Sequence, residues 1–166
     1  MNITSHLVVA QKISKHIKPK QRFIFAVGSV LPDFDRRTQP HREVHLQMHI
    51  FNCIYKIEHS NSKNARALHL GELIHYICDY YCYAHKYNLR ISHGILHIKY
   101  ECEMERLLKK DEFEKFVFKD EFESVITFLN EQKKLYDSTE SDIYRDLKFI
   151  MSICEFVMNE FSHYII

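Results

Sequence analysis

Between residues 72 and 101 the chain reads ELIHYICDYYCYAHKYNLRISHGILHIKYE, a stretch rich in side chains that bind divalent metals. His75 and Asp79 are four residues apart, as are His97 and Glu101, and His85 stands between the two pairs. On a helix that spacing puts both members of a pair on one face, with Cβ atoms about 5–6 Å apart. Upstream lie His6, Asp33 and a histidine group of His41, His45 and His49. Zinc takes histidine nitrogen and carboxylate oxygen at about 2.0–2.2 Å, usually with four ligands in all. A set of His6, Asp33, one histidine of that group, His75, Asp79, His85, His97 and Glu101 is too large for one tetrahedral ion. Two or three ions would share it, with a carboxylate such as Asp79 bridging. One H-x-x-x-D taken alone is weak evidence, since histidine and aspartate often meet as a surface pair. Here the pairs sit among apolar neighbours, where an uncompensated carboxylate is costly, and metal is the economical compensation.

The elements that must carry these residues read as helices. Only three Gly and three Pro punctuate 166 residues, and the apolar positions recur at helical spacing. The pattern predicts one all-α domain over 1–166, a bundle of about six to eight helices. A first helix is expected over 5–17, capped by Thr4 or Ser5, and a second over 20–30, apolar enough to be central and buried. The second ends in GSVLPDFD, where Gly28 allows close approach and Pro32 turns the chain, leaving Asp33 at a helix-to-loop junction. A third helix is expected over 43–58, a fourth over 63–84 and a fifth over 94–108. Phenylalanines and charges alternate over 109–136 as in short amphipathic helices, and Ser138 or Thr139 would cap a last helix. Residues 109–166 are expected to pack on the outside, with the metal site confined to 4–105. Tyr76, Tyr80, Tyr81, Tyr83 and Tyr87 read as core or rim aromatics rather than as a substrate cleft.

Composition excludes several classes. A net charge of +1 offers no bulk basic field for nucleic acid or an anionic membrane. The amino-terminal stretch lacks the apolar length and cleavage pattern of a secretory signal, so a cytoplasmic location is expected. Five scattered cysteines fit reduced, buried thiols in that compartment. His16, His59, His69, His93 and His163 lack partners at ligand spacing and read as surface or satisfied core. Arg36 and Arg37, just after Asp33, could meet a substrate phosphate.

The ordered set HYICDYYCYAH (75–85), HIKYE (97–101), SHLVVAQKI around His6 and GSVLPDFD around Asp33 resembles the zinc-dependent phospholipase C family, related to the fungal single-strand-specific zinc nucleases. The resemblance covers roughly residues 4–105. It implies an all-α bundle with zinc ions in a cleft and hydrolysis of a phospholipid or other phosphodiester by metal-activated water. Asp33, a histidine of the third helix, His75 and Asp79 would hold one zinc; His85, His97 and Glu101 a second; His6 and the shared Asp79 a third. Asp33 would also orient or deprotonate the water. For the third-helix ligand the preference runs His45, His49, His41. The family completes its third zinc with the amino terminus of the mature chain, whereas only five residues precede His6 here. Two other readings stay open: a nuclease or nucleotide phosphohydrolase on the same metal core, and a non-catalytic helical protein with structural zinc.

Overall fold

A computed structural model of the chain describes residues 1–34, 43–86, 94–111, 113–118 and 122–166, without the side chains of residues 43, 44, 85 and 86. His41, Arg36, Arg37, Tyr87 and His93 lie outside the described residues, as does the side chain of His85. The architecture is all helical. In order come α1 (Ile3–Ile13), α2 (Pro19–Gly28), α3 (Leu31–Phe34), α4 (Glu43–His59), α5 (Lys63–Tyr80), α6 (Tyr83–Lys86), α7 (Gly94–Lys110), α8 (Val125–Ser138) and α9 (Ile143–Ser162). Seven of these have ten residues or more, and α3 and α6 are single turns.

α5 is the axis. Every residue from Leu73 to Tyr80 is buried, so this half has no solvent face, as a helix surrounded by others requires. α4 returns along α5 as a hairpin and covers it with Leu46, Ile50, Cys53, Ile54 and Ile57 at helical spacing. α2 crosses α5 at Gly28 and Gly71, where backbones nearly touch. A Cβ on Gly71 would lie 2.2 Å from the Phe25 carbonyl oxygen, and one on Gly28 would lie 2.2 Å from that of Leu68. Only glycine fits there. The second helix is not the buried centre its apolar run suggests: Phe25 and Gly28 are buried, but Phe23 is 71% exposed. α5 holds that place instead.

Other boundaries differ for identifiable reasons. α1 starts at Ile3 because the Asn2 side chain accepts from the Ser5 N–H, displacing Thr4 and Ser5 as caps. The helix expected over 63–84 stops at Tyr80, and a separate turn carries His85. α9 is capped by Asp142, which accepts from the Arg145 N–H at 2.7 Å, so the cap falls after Ser138 and Thr139. Residues 113–118 are not helical. Their phenylalanines form a cluster in which Phe118 and Phe122 meet Phe128 and Phe156 edge-on, while Phe116 packs on Phe149. Nor does α9 lie outside: Leu147, Phe149, Ile150, Ile153, Cys154 and Val157 are in the core, against α5.

Candidate metal centre

The candidate ligands occupy the buried stripes of their helices. On α1, His6 continues the row Ala10 and Ile13; on α7, His97 and Glu101 continue the row Met104 and Leu108. On α5, His75 and Asp79 lie one turn apart and are 0% and 1% exposed. Helical periodicity therefore aims these polar groups into the interior, where they meet. The His6 and His75 rings stack with centroids 4.0 Å apart. Nitrogens of both lie within 4.8 Å of each other and of an Asp33 oxygen, forming a three-donor group in which Asp33 is exposed and the two imidazoles buried. The carboxylate thus sits at the mouth and the histidines beneath it.

Asp79 links this group to the next. Its Oδ2 lies 3.5 Å from His75 Nε2, and its Oδ1 lies 3.4 Å from His6 Nε2. The amino group of Met1 donates to the same Oδ1 at 2.5 Å and stands 3.6 Å from Glu101 Oε1. Glu101 in turn lies 3.1 Å from His97 Nε2. Asp79, the chain's amino group, Glu101 and His97 are therefore continuous.

The electrostatics follow from that geometry. Burial works to lower the Met1 amine, yet Asp79, with the Cys82 and Glu101 groups, carries it up to about 11. Burial likewise opposes charge on His6, and its contacts with Asp79 and Cys78 prevail, raising it to about 9. His75 goes the other way: burial and the neighbouring His6 charge lower it well below the ordinary range. A neutral His75 fits its other contact. Its Nδ1 is 3.0 Å from the Ser29 carbonyl oxygen, which can only accept, so Nδ1 carries the hydrogen and the Nε2 lone pair faces Asp79.

The donors fit a metal. Both His6 ring nitrogens are buried without a hydrogen bond of good geometry. Buried ring nitrogens short of a good hydrogen bond are rare in folded proteins and ask for an explanation. Borderline imidazole and hard carboxylate together make the mixed nitrogen–oxygen set that zinc accepts.

Not every expected residue joins. His45 is half-buried on α4 and, among the described residues, belongs to no group of three donors. His49 stacks on Tyr76 at 4.6 Å, and Tyr76 meets His75 edge-on at 5.4 Å. His6 groups with Asp33 and His75 as well as with Asp79. Among the tyrosines, Tyr81 is fully buried and donates to the Leu129 carbonyl, Tyr76 and Tyr80 are buried, and Tyr83 is half-buried. Of the histidines set aside, His69 pairs with Glu72 at 2.9 Å, His59 stacks on Tyr55, and His163 lies tilted against Tyr164. The Ser29 carbonyl was beyond the reach of sequence reasoning, since a backbone atom leaves no trace in residue type. The glycines at the α2–α5 crossing were its one available sign.

An all-helical protein that brings histidines and carboxylates from α1, α3, α5 and α7 into one run of contacts has the makings of a metal centre. The model of a known family, zinc-dependent phospholipase C, matches residues 3–154. The chain belongs to that family. No curated protein and no solved structure matches it. Membership implies zinc and action on phosphoester bonds. Among the described residues, no helix is long and apolar enough to cross a membrane.

Proposed function

We propose that the chain is a zinc-dependent phosphodiester hydrolase, phospholipase C-like, acting on a phospholipid or another phosphodiester. The observation that carries this reading is the convergence of His6, Asp33, His75 and Asp79 on one point, continuous through Met1 with Glu101 and His97. Asp33, His75 and Asp79 would hold one zinc, with His45 as the candidate from α4. His85, His97 and Glu101 would hold a second. His6 and Asp79 would serve a third, and the amino group of Met1, 2.5 Å from Asp79, would add a donor there on losing its proton.

When bound, zinc supplies positive charge that polarises the phosphoryl group and acidifies water. The chain's own groups do the rest. Ser29 fixes the His75 ring, so the nitrogen that faces Asp79 needs no reorientation on binding. Asp79 presents one oxygen to each side and so couples the donor sets. Asp33 is the exposed member of the group His6, Asp33 and His75. It accepts the proton of the attacking water as the new P–O bond forms, and returns it to the leaving oxygen as the old P–O bond breaks.

The test is a zinc-replete substrate panel: bis(p-nitrophenyl) phosphate, phosphatidylcholine vesicles and a single-stranded oligonucleotide. Bound zinc is counted in parallel for the wild-type chain, Asp79→Asn and His97→Ala. Two or three zinc ions with turnover, both reduced in the variants, support the proposal. Activity on the oligonucleotide alone would assign the nuclease reading instead. Unchanged zinc content and activity in both variants would reject the site.

A further inference from the structure

Behind the metal centre, a second buried carboxylate ties two of the site's helices together. Asp146, in the first turn of α9, is 0% exposed. Its Oδ2 accepts from the backbone N–H of Tyr83 at 2.6 Å and from the Tyr100 hydroxyl at 2.6 Å. Its Oδ1 accepts from the Tyr136 hydroxyl at 2.8 Å and from the Arg145 guanidinium at 2.8 and 3.2 Å. The two oxygens therefore face different parts of the molecule. Oδ1 looks to α8 and to α9 itself. Oδ2 looks to α6 and α7.

The residues on Oδ2 are placed where they matter. Tyr83 opens α6, two residues before His85, and Tyr100 lies on α7, one residue before Glu101 and three after His97. One oxygen atom thus contacts both the start of α6 and the turn of α7 that bears His97 and Glu101. The carboxylate cannot easily swing away. Arg145 grips it from the other side, donates to the Thr139 carbonyl at 3.0 Å and lies 4.0 Å from the centroid of the Tyr136 ring. Stability alone is a weak reason for such a group, because buried ion pairs can often be replaced by apolar residues without loss. Groups that orient metal ligands typically change affinity by about 10–100-fold when removed.

We propose that Asp146 is a positioning residue: through its Oδ2 contacts with Tyr83 and Tyr100 it sets the α6–α7 spacing, and with it the zinc affinity of the set His85, His97 and Glu101. The inference rests on reading that set as a zinc site, and α6 enters it through its backbone.

The two oxygens supply a matched test. Tyr100→Phe deletes a hydroxyl from Oδ2, and Tyr136→Phe deletes the same group from Oδ1. Zinc competition against a chromophoric chelator, on the full chain, reads affinity ion by ion, and thermal melts of the zinc-stripped chain read the structural cost. Tyr100→Phe is expected to weaken one zinc by about 10–100-fold and to leave the others unchanged. Tyr136→Phe is expected to lower the melting midpoint while keeping every zinc affinity at the wild-type value. Asp146→Asn should weaken the same single zinc as Tyr100→Phe, and combining the two should cost little more. If Asp146→Asn does not fold, the tyrosine pair decides alone. Equal losses in both tyrosine variants, loss of every zinc, or no loss in Tyr100→Phe would overturn the proposal. The zinc-site reading survives those results provided the wild-type chain binds two or more ions. A wild-type chain that binds fewer overturns both.

Discussion

Asp79 is the residue on which the centre depends most. It is 1% exposed, and the Met1 ammonium and the imidazoles of His6 and His75 surround it. Asp79→Asn removes the carboxylate nearest the ammonium and His6, with Glu101 farther off at 3.6 Å from the ammonium. Removing one partner of a buried pair costs about 3–5 kcal/mol, and that loss is expected in denaturant unfolding of the zinc-free variant. A variant as stable as wild type would mean that these cations are not compensated by Asp79. Away from the centre, Cys53 gives a pH prediction of its own. Burial raises its thiol, Glu72 adds to the rise, Lys56 opposes it, and the result is about 12 against an ordinary 9.0. A raised value means the folded chain holds the proton more tightly. Its contribution is therefore complete below pH 9 and is lost as pH climbs from 9 toward 12. The fall in melting midpoint between pH 8 and pH 10.5 should be smaller in Cys53→Ala than in wild type. An identical fall in both would show that this thiol does not titrate differently on folding.

At the scale of elements, the α2–α5 crossing does more than fill space. The approach at Gly28 and Gly71 brings the residue after α2, Ser29, close enough for its carbonyl to hold His75. Gly71→Ala places a Cβ 2.2 Å from one backbone oxygen and 2.8 Å from the Ser29 nitrogen, so α2 must move. Overpacking of this kind costs about 1–3 kcal/mol or more. Because the shift falls on Ser29, zinc affinity should fall along with stability. Gly94→Ala is the control. Its Cβ would meet nothing within 4 Å, and no glycine has positive φ. That substitution should be neutral or stabilising by up to about 1 kcal/mol, with zinc content unchanged. Equal effects at the two glycines would show that crowding at the crossing is not what matters.

For the whole molecule, the question is whether zinc holds the fold or only uses it. The core runs through α5 and α9 and includes Leu70, Leu73, Ile77, Phe149, Ile150 and Val157, all at most 1% exposed, independent of any metal. The charge on Asp79 is met by the Met1 ammonium and His6 without zinc. Chelation should therefore lower the melting midpoint but leave a helical, cooperatively unfolding chain. Mass action at zinc about 100-fold above its dissociation constant adds about 2.7 kcal/mol per site. Circular dichroism with and without chelator checks this, and unfolding on chelation would favour purely structural zinc.

Much of this was legible from residue order, for a definite reason. Ligands spaced by four on a helix must share a face, so His75 with Asp79 and His97 with Glu101 could be paired without coordinates. Scarce glycine and proline and unbroken helical apolar spacing likewise pointed to an all-α bundle, which the structure shows. Local chemistry misled where a neighbour competed for the same role. Asn2 took the cap from Thr4 and Ser5, Asp142 took it from Ser138, and the run after Asp111 became a phenylalanine cluster instead of helices. Other relations are between residues far apart in the chain, and no local pattern encodes them. Met1 meets Asp79 across 78 positions, the Ser29 carbonyl meets His75 across 46, and Asp146 draws Tyr83 and Tyr100 together from 63 and 46 positions away. The sequence by itself determined which residues face inward and with what period. Only the packing of α1, α2, α7 and α9 around α5 decided which inward faces meet, because that depends on how whole helices fit against one another.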